Sequence, residues 1–141
     1  MIRLMNINDY IACRKLWDDD GGIGQRSLDD SFKGIEKFLK RNPSTCFVYE
    51  DNGVYGTILS GHDGRRGYIY HLYVHPNIRN KGVAFKLVDH SLKALQDEGI
   101  NKVALVVYKS NNLGNDFWEK IGFTTRDDLY YRNMSINDNN E

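Results

Sequence analysis

The chain has 141 residues, enough for one domain built on a single core. Lys plus Arg and Asp plus Glu number 19 each, so the formal net charge is zero and the basic surplus of a nucleic-acid-binding protein is missing. No run approaches the ~20 apolar residues of a membrane span, MIRLMNINDY lacks a signal peptide's apolar core, and Cys13 and Cys46 have neither disulfide-framework nor zinc spacing.

Residues 2–5 alternate and read as a short edge strand. Asn8 can cap a helix running to about Trp17, with Tyr10, Cys13 and Trp17 on one face. Asp18-Asp19-Asp20-Gly21-Gly22 reads as a flexible acidic loop. Ser27 and Asp30 have capping-box spacing, and Leu28, Phe32, Ile35 and Leu39 follow at helical intervals up to Pro43. Residues 45–50 and 54–62 read as strands joined at Asn52-Gly53. A second turn, His62 to Gly67, leads to a strand at 68–75, which completes an antiparallel meander.

The pattern then changes. A helix over roughly 82–98 puts Ala84, Leu87, Val88, Ser91, Leu92 and Leu95 on one stripe and ends at Gly99. Residues 103–108, VALVVY, are apolar without alternation, as in a strand buried on both faces. The strand, helix and strand form a βαβ unit whose two strands run parallel. Asn111 or Asn112 caps a further helix ending near Phe123, and strands near 123–126 and 129–135 finish the sheet. Residues 1–136 read as one domain and 137–141 as a disordered polar tail.

The densest information lies in the junction Arg79-Asn80-Lys81-Gly82-Val83-Ala84. A strand feeding a helix N-terminus through Arg, Lys and Gly gathers free backbone N–H groups where the helix dipole is positive. Such a turn suits a diphosphate. Arg79-x-x-Gly82-x-Ala84, the preceding Leu72-Tyr73-Val74-His75-Pro76 and the later NNLGNDFWEKIGF over Asn111 to Phe123 together resemble the GNAT superfamily of N-acetyltransferases. The resemblance covers residues 2–135, with Gly114 and Trp118 standing where the family pattern has Ala and Tyr.

This resemblance implies an α/β (α+β in some schemes) GNAT fold. Its central mixed sheet would have about six to seven strands, helices on both faces and splayed parallel central strands. It implies acetyl-CoA as co-substrate, no metal, and an amine acceptor of unknown identity on a small molecule or a protein. The pantetheine arm would run along the backbone of Leu72, Tyr73 and Val74. The diphosphate would lie on residues 80 to 85, Asn80, Lys81, Gly82, Val83, Ala84 and Phe85, with added charge from Arg79 and Lys81. Asn111 would bond the arm, and Phe117 and Trp118 would flank the thioester or cofactor chain. Asn111 also reads as a plain helix cap, Trp118 as plain core.

Acetyl transfer needs an acceptor for the amine's proton and a donor for the developing oxyanion, here the Val74 N–H. The tyrosine that can protonate the thiolate in many family members is Trp118 here, and the glutamate some carry falls near Tyr68. Replacements are His71, Tyr73 and Tyr108, or more distantly Glu50 and Asp63; His71 and Tyr73 fall on one strand face, Leu72 and Val74 on the other. The family's acceptor loop corresponds to Trp17 to Leu28. Its Asp18, Asp19 and Asp20 could attract a cation, and Arg65 and Arg66 could hold a carboxylate, although solvated loops explain both equally. The missing Tyr and Glu leave a non-catalytic acyl-CoA-binding module as the alternative. The expected setting is a reducing cytoplasm without nucleic-acid or membrane partners, and the sequence does not decide whether copies pair as a homodimer.

Overall fold

The structure is a computed structural model that describes residues 1–19 and 24–141. Among them the sheet has five strands in the order β1 (Ile2–Leu4), β2 (Phe47–Glu50), β3 (Val54–His62), β4 (Gly67–Val74) and β5 (Val103–Ala104). The first four pair antiparallel and β5 joins β4 in parallel. Helices α1 (Tyr10–Asp18) and α2 (Phe32–Arg41) cover one face, and α3 (Val83–Asp97) and α4 (Asn112–Lys120) the other. No helix among the described residues is long and apolar enough to cross a membrane.

Two core clusters follow from strand alternation. Cys13, Leu16 and Trp17 of α1 and Ile35 and Leu39 of α2 pack on Val48, Leu59 and Tyr73. Across the sheet, Val83, Leu87 and Val88 of α3 and Trp118 of α4 pack on Phe47, Ile58, Ile69 and Val74. Strand β4 changes phase partway along. Ile58 pairs with Leu72 but Ser60 with Ile69, so Tyr70 and His71 both stand opposite Leu59. This bulge puts two consecutive side chains on one face. Tyr70 meets Phe38 of α2, and His71 meets Trp17 of α1.

Several expectations need correction. Asn6, rather than Asn8, caps the start of the first helical segment, through a short 3₁₀ turn at Ile7–Asp9 that runs into α1. Helix α2 begins after Ser31, whose Oγ accepts the Gly34 N–H at 3.0 Å. Ser27 is not the cap; Leu28 lies in the preceding turn. The strand expected at 103–108 pairs only at Val103 and Ala104, because nothing bonds it further on either side. No ladder forms at 123–126 or 129–135, so five strands replace the expected six to seven. Arg126 and Asp128 close an ion pair there at 2.8 Å, and β5 ends too early to offer those segments an edge. The tail at 137–141, expected to be disordered, carries hydrogen bonds: the Leu28 and Asp29 N–H groups donate to Asn140 Oδ1, and Ser27 Oγ accepts from the Glu141 N–H. The acidic loop is described only in part, since Asp20, Gly21, Gly22 and Ile23 lie outside the described residues.

The two candidate caps can be separated by measurement. Ser31→Ala should cost about 1 kcal/mol in denaturant unfolding. Ser27→Ala should stay within about 0.5 kcal/mol of the parent protein.

Candidate active site

Strand β4 is paired on both sides only at its start. Its ladder with β5 consists of Gly67 with Val103 and Tyr68 with Ala104, so the β5-facing edge from Ile69 to Val74 is left without a strand partner. The His75 N–H donates to Tyr55 O at 2.8 Å, on the β3 side. Alternation then turns the backbone of Tyr73 toward β3 and that of Leu72 and Val74 toward the open edge. Val74 O there accepts Arg79 Nε at 2.8 Å. Of the three residues expected to form the edge, Leu72 and Val74 therefore offer backbone groups to it and Tyr73 does not.

The chain leaves β4 through a 3₁₀ turn at Pro76–Ile78 and enters α3 at Gly82. Gly82 has φ +78° and Asn80 φ +64°, so two left-handed residues bend the backbone just ahead of the helix. At Gly82 only glycine adopts that conformation without strain. No side chain caps α3, no acidic residue stands in its first turn, and the first N–H bonded within the helix is that of Lys86, to Gly82 O. The earlier N–H groups face outward at the positive end of the dipole. Lys81 is exposed; Val83 is buried in the core, Ala84 packs beside it, and Phe85 is 54% exposed. Arg79 folds back so that its guanidinium carbon lies 5.5 Å from the Tyr73 ring centroid. An open strand edge beside an uncapped helix mouth fits a diphosphate carrying an extended arm.

The later motif is divided between roles. Asn111 Oδ1 accepts the Gly114 N–H at 2.9 Å and so caps α4. A Cβ at 114 would stand 2.6 Å from Asn111 Nδ2, so an alanine there would need the tip of the capping amide to shift. Asn115, which the sequence did not single out, donates through Nδ2 to Tyr108 O and Asn111 O and fixes the loop. Trp118 sits in the core between Phe117 and Phe123, with ring centroids at 5.1 Å to each. Phe117 is partly buried beside it.

Of the candidate proton acceptors, Tyr73 is 5% exposed within the α1/α2 core. Tyr108 is 62% exposed and its hydroxyl lies 3.4 Å from where a Cβ of Gly24 would be, reaching the loop after α1. Glu50 pairs with Arg3, and Asp63 Oδ1 accepts the N–H groups of Arg65 and Arg66 within its own turn. His71 has a partner that sequence reasoning missed. Its Nε2 lies 2.6 Å from Asp30 Oδ1, with both side chains nearly buried.

Asp30 is held on several sides. Its Oδ2 accepts the Arg26 N–H at 2.6 Å, and its backbone carbonyl accepts Tyr10 Oη and Arg14 Nη1. The Trp17 ring packs against the imidazole at 5.0 Å while its Nε1 donates to Thr57 Oγ1. No local signal could have found this pair, because 41 residues separate its members. Asp18 pairs with Arg14 at 3.0 Å on the exposed side of α1. Among the described residues no His, Cys, Asp and Glu side chains cluster as a metal site.

Neither cysteine is a nucleophile. Burial pushes the Cys13 thiol and the Cys46 thiol up to about 12, so neither supplies thiolate at neutral pH. Both are essentially inaccessible. In the native protein a disulfide reagent should titrate neither thiol, and after denaturation both; a native thiol that reacts rapidly would contradict the burial.

The chain's relatives point one way. The profile of the Acetyltransferase (GNAT) family matches residues 10–123. An acetyltransferase of Pectobacterium atrosepticum is 33% identical over 127 residues, spanning 89% of this chain and 89% of its own length. One from Yersinia pestis is 31% identical over 129 residues, spanning 91% and 90%. Among solved structures, the PaiA N-acetyltransferase of Thermoplasma acidophilum in complex with coenzyme A superposes with a TM-score of 0.76 at 21% identity, over 90% of this chain and 91% of that one. The NatC complex bound to Gag peptide and CoA gives 0.73 at 24% identity, over 86% and 82%.

Proposed function

Because the chain belongs to the GNAT acetyltransferase family, we propose that it moves an acetyl group from acetyl-CoA to an amine by direct attack at the open edge of β4. The observation that carries this reading is the conjunction of an unpaired strand edge and an uncapped helix mouth at the same end of β4. The N–H groups at the start of α3, with Lys81 and the free end of Arg79, bind the diphosphate. The backbone of Leu72 and Val74 takes the pantetheine arm as a sheet edge takes an added strand.

The amine nitrogen attacks the thioester carbonyl carbon. A C–N bond forms, the C–S bond breaks and the sulfur departs as thiolate, while the nitrogen sheds one proton. The Val74 N–H donates to the carbonyl oxygen as negative charge develops on it. The thiolate, with a pKa near the ~8.5 of a cysteine, leaves without a dedicated acid. That matches a chain in which tryptophan replaces the usual tyrosine.

His71 accepts the proton, directly or through one water. Imidazole is the side chain suited to this work between pH 5 and 8. Asp30 fixes the tautomer by accepting a hydrogen bond from the Nε2–H, which leaves Nδ1 as the accepting nitrogen. With both thiols buried, an acyl-cysteine intermediate has no supporting nucleophile.

Two measurements test the reading. Gly82→Glu places a carboxylate and a strained backbone at the helix mouth, and should weaken CoA binding by at least about tenfold in calorimetry; unchanged affinity in a folded variant would refute the cradle. His71→Gln should lower kcat/KM by about a hundredfold with CoA affinity unchanged, whereas undiminished turnover in a folded variant would clear His71 of the role. Tight CoA binding with no turnover on any amine would support the non-catalytic binding module instead.

A further inference from the structure

A cavity of ≈ 530 Å³ lies on the sheet face that carries α1 and α2, between the end of α2 and the start of β5. Its floor is aromatic. Tyr68 and Tyr70 stand side by side with ring centroids 4.7 Å apart, and Phe38 meets Tyr70 edge-on at 5.5 Å. Burial raises the pKa of both tyrosines, so their hydroxyls remain donors at neutral pH. The rim is cationic, formed by Arg41, Arg66 and Lys102. Among the described residues none of these three side chains has an ion-pair partner, although the chain as a whole carries equal numbers of acids and bases.

The one carboxylate on the rim, Asp63, has Oδ1 bonded to the N–H groups of Arg65 and Arg66 at 2.8 Å each. It is therefore bound to its own turn and leaves the guanidinium of Arg66 free. His62, on the same rim, stands 3.9 Å from Glu98.

Position gives the cavity its meaning. The bulge in β4 places Tyr70, which lines the cavity, next to His71 on this face. The helix mouth assigned to the diphosphate starts α3, which packs on the opposite face. Cofactor and acceptor would thus approach from opposite sides of the sheet. Tyr70 is two residues from Leu72 and four from Val74, about 7 to 13 Å along the strand.

We propose that this cavity binds the anionic end of the acetyl acceptor, so that the natural acceptor is an amine carrying a carboxylate or phosphate roughly 10 Å from its nitrogen, across an aromatic or apolar middle. The inference rests on the acetyl-transfer reading and adds to it the class of acceptor. Arg66 and Arg41 hold the anion, Lys102 adds charge, and the tyrosines pack on the middle of the molecule.

The test uses matched pairs of amines that differ only in the anion: the tripeptide Gly-Gly-Tyr against its carboxamide, and O-phosphotyramine against tyramine. Thiol release is followed with acetyl-CoA for the parent protein, Arg66→Gln and Arg41→Gln. The anionic member of at least one pair should be preferred in kcat/KM by about tenfold or more, chiefly through KM. That preference should fall toward unity in Arg66→Gln and with rising salt, as expected of an exposed charge contact. The pair that shows it distinguishes carboxylate from phosphate. Equal use of both members in both pairs, or a preference unchanged in Arg66→Gln and Arg41→Gln, would overturn the proposal.

If no amine is acetylated, the same pairs are titrated calorimetrically into the CoA-loaded protein. A preference for the anion that Arg66→Gln removes keeps the site while the acetyl-transfer reading falls. Binding without preference, or no binding at millimolar concentration, removes the site as well.

Discussion

Two rungs of parallel ladder, Gly67 with Val103 and Tyr68 with Ala104, are where β4 stops being an interior strand. The open strand edge and the helix mouth both lie beyond them. An interior strand has its backbone groups satisfied on both sides and nothing left to offer a ligand. By parting from its neighbour after two residues, β4 keeps a buried, rigid body on β3 and presents a row of unpaired peptide groups on the other side. Because α3 follows β4 after only a short turn, its N-terminus opens at the same end. The site is thus a consequence of where a ladder ends.

The two faces of the sheet divide the chemistry. On the α3 side the groups are backbone amides and exposed cations, suited to a diphosphate whose position matters more than its proton affinity. On the α1/α2 side a buried carboxylate holds a histidine against tryptophan, and a basic rim surrounds stacked tyrosines. A buried pair such as His71 and Asp30 gains little net stability over apolar packing, and in the proposed reaction it carries the proton-accepting role. The hydrogen bonds around Asp30 come from Tyr10, Arg14 and Arg26, none of which would be chosen from the sequence as part of a site.

What the sequence revealed were features whose cause is local. The strand at 54–62 was readable to the residue because Asn52-Gly53 and Asp63-Gly64 are turn dipeptides that fix where it can start and stop. The long helix after Gly82 was readable from its apolar stripe and from Gly99 at its end. What escaped depends on partners far along the chain. VALVVY has the composition of a buried strand, but its chain parts from β4 after Ala104 and leaves the edge of β4 beyond Tyr68 open. Ser27 and Asp30 imitate a capping box, yet Ser31 is the cap and the Asp30 side chain points to His71. Trp118, equally readable as cofactor contact or core, lies in the core because Phe117, Phe123 and the end of β5 surround it. The GNAT-like motifs marked the turn and helix mouth after β4, since backbone geometry there follows from Gly and Pro positions. They said little about the groove on the other face, whose lining side chains come from segments far apart in the chain.

The extra residue in β4 opposite Leu59 has a consequence for how such a site can change. It divides the strand into two stretches of opposite parity, one in step with α3 packing through Ile69 and the other through Leu72 and Val74. Straightening the strand into a uniform pleat with every residue kept would carry the Tyr68–Ile69–Tyr70 stretch to the wrong sides, exposing an isoleucine to the groove and driving phenols into the apolar layer. The groove's chemistry is therefore set by where the bulge falls as much as by the identity of the residues. A lineage could exchange its acceptor preference by shifting the kink a step along the strand, leaving the helix mouth and the diphosphate grip untouched.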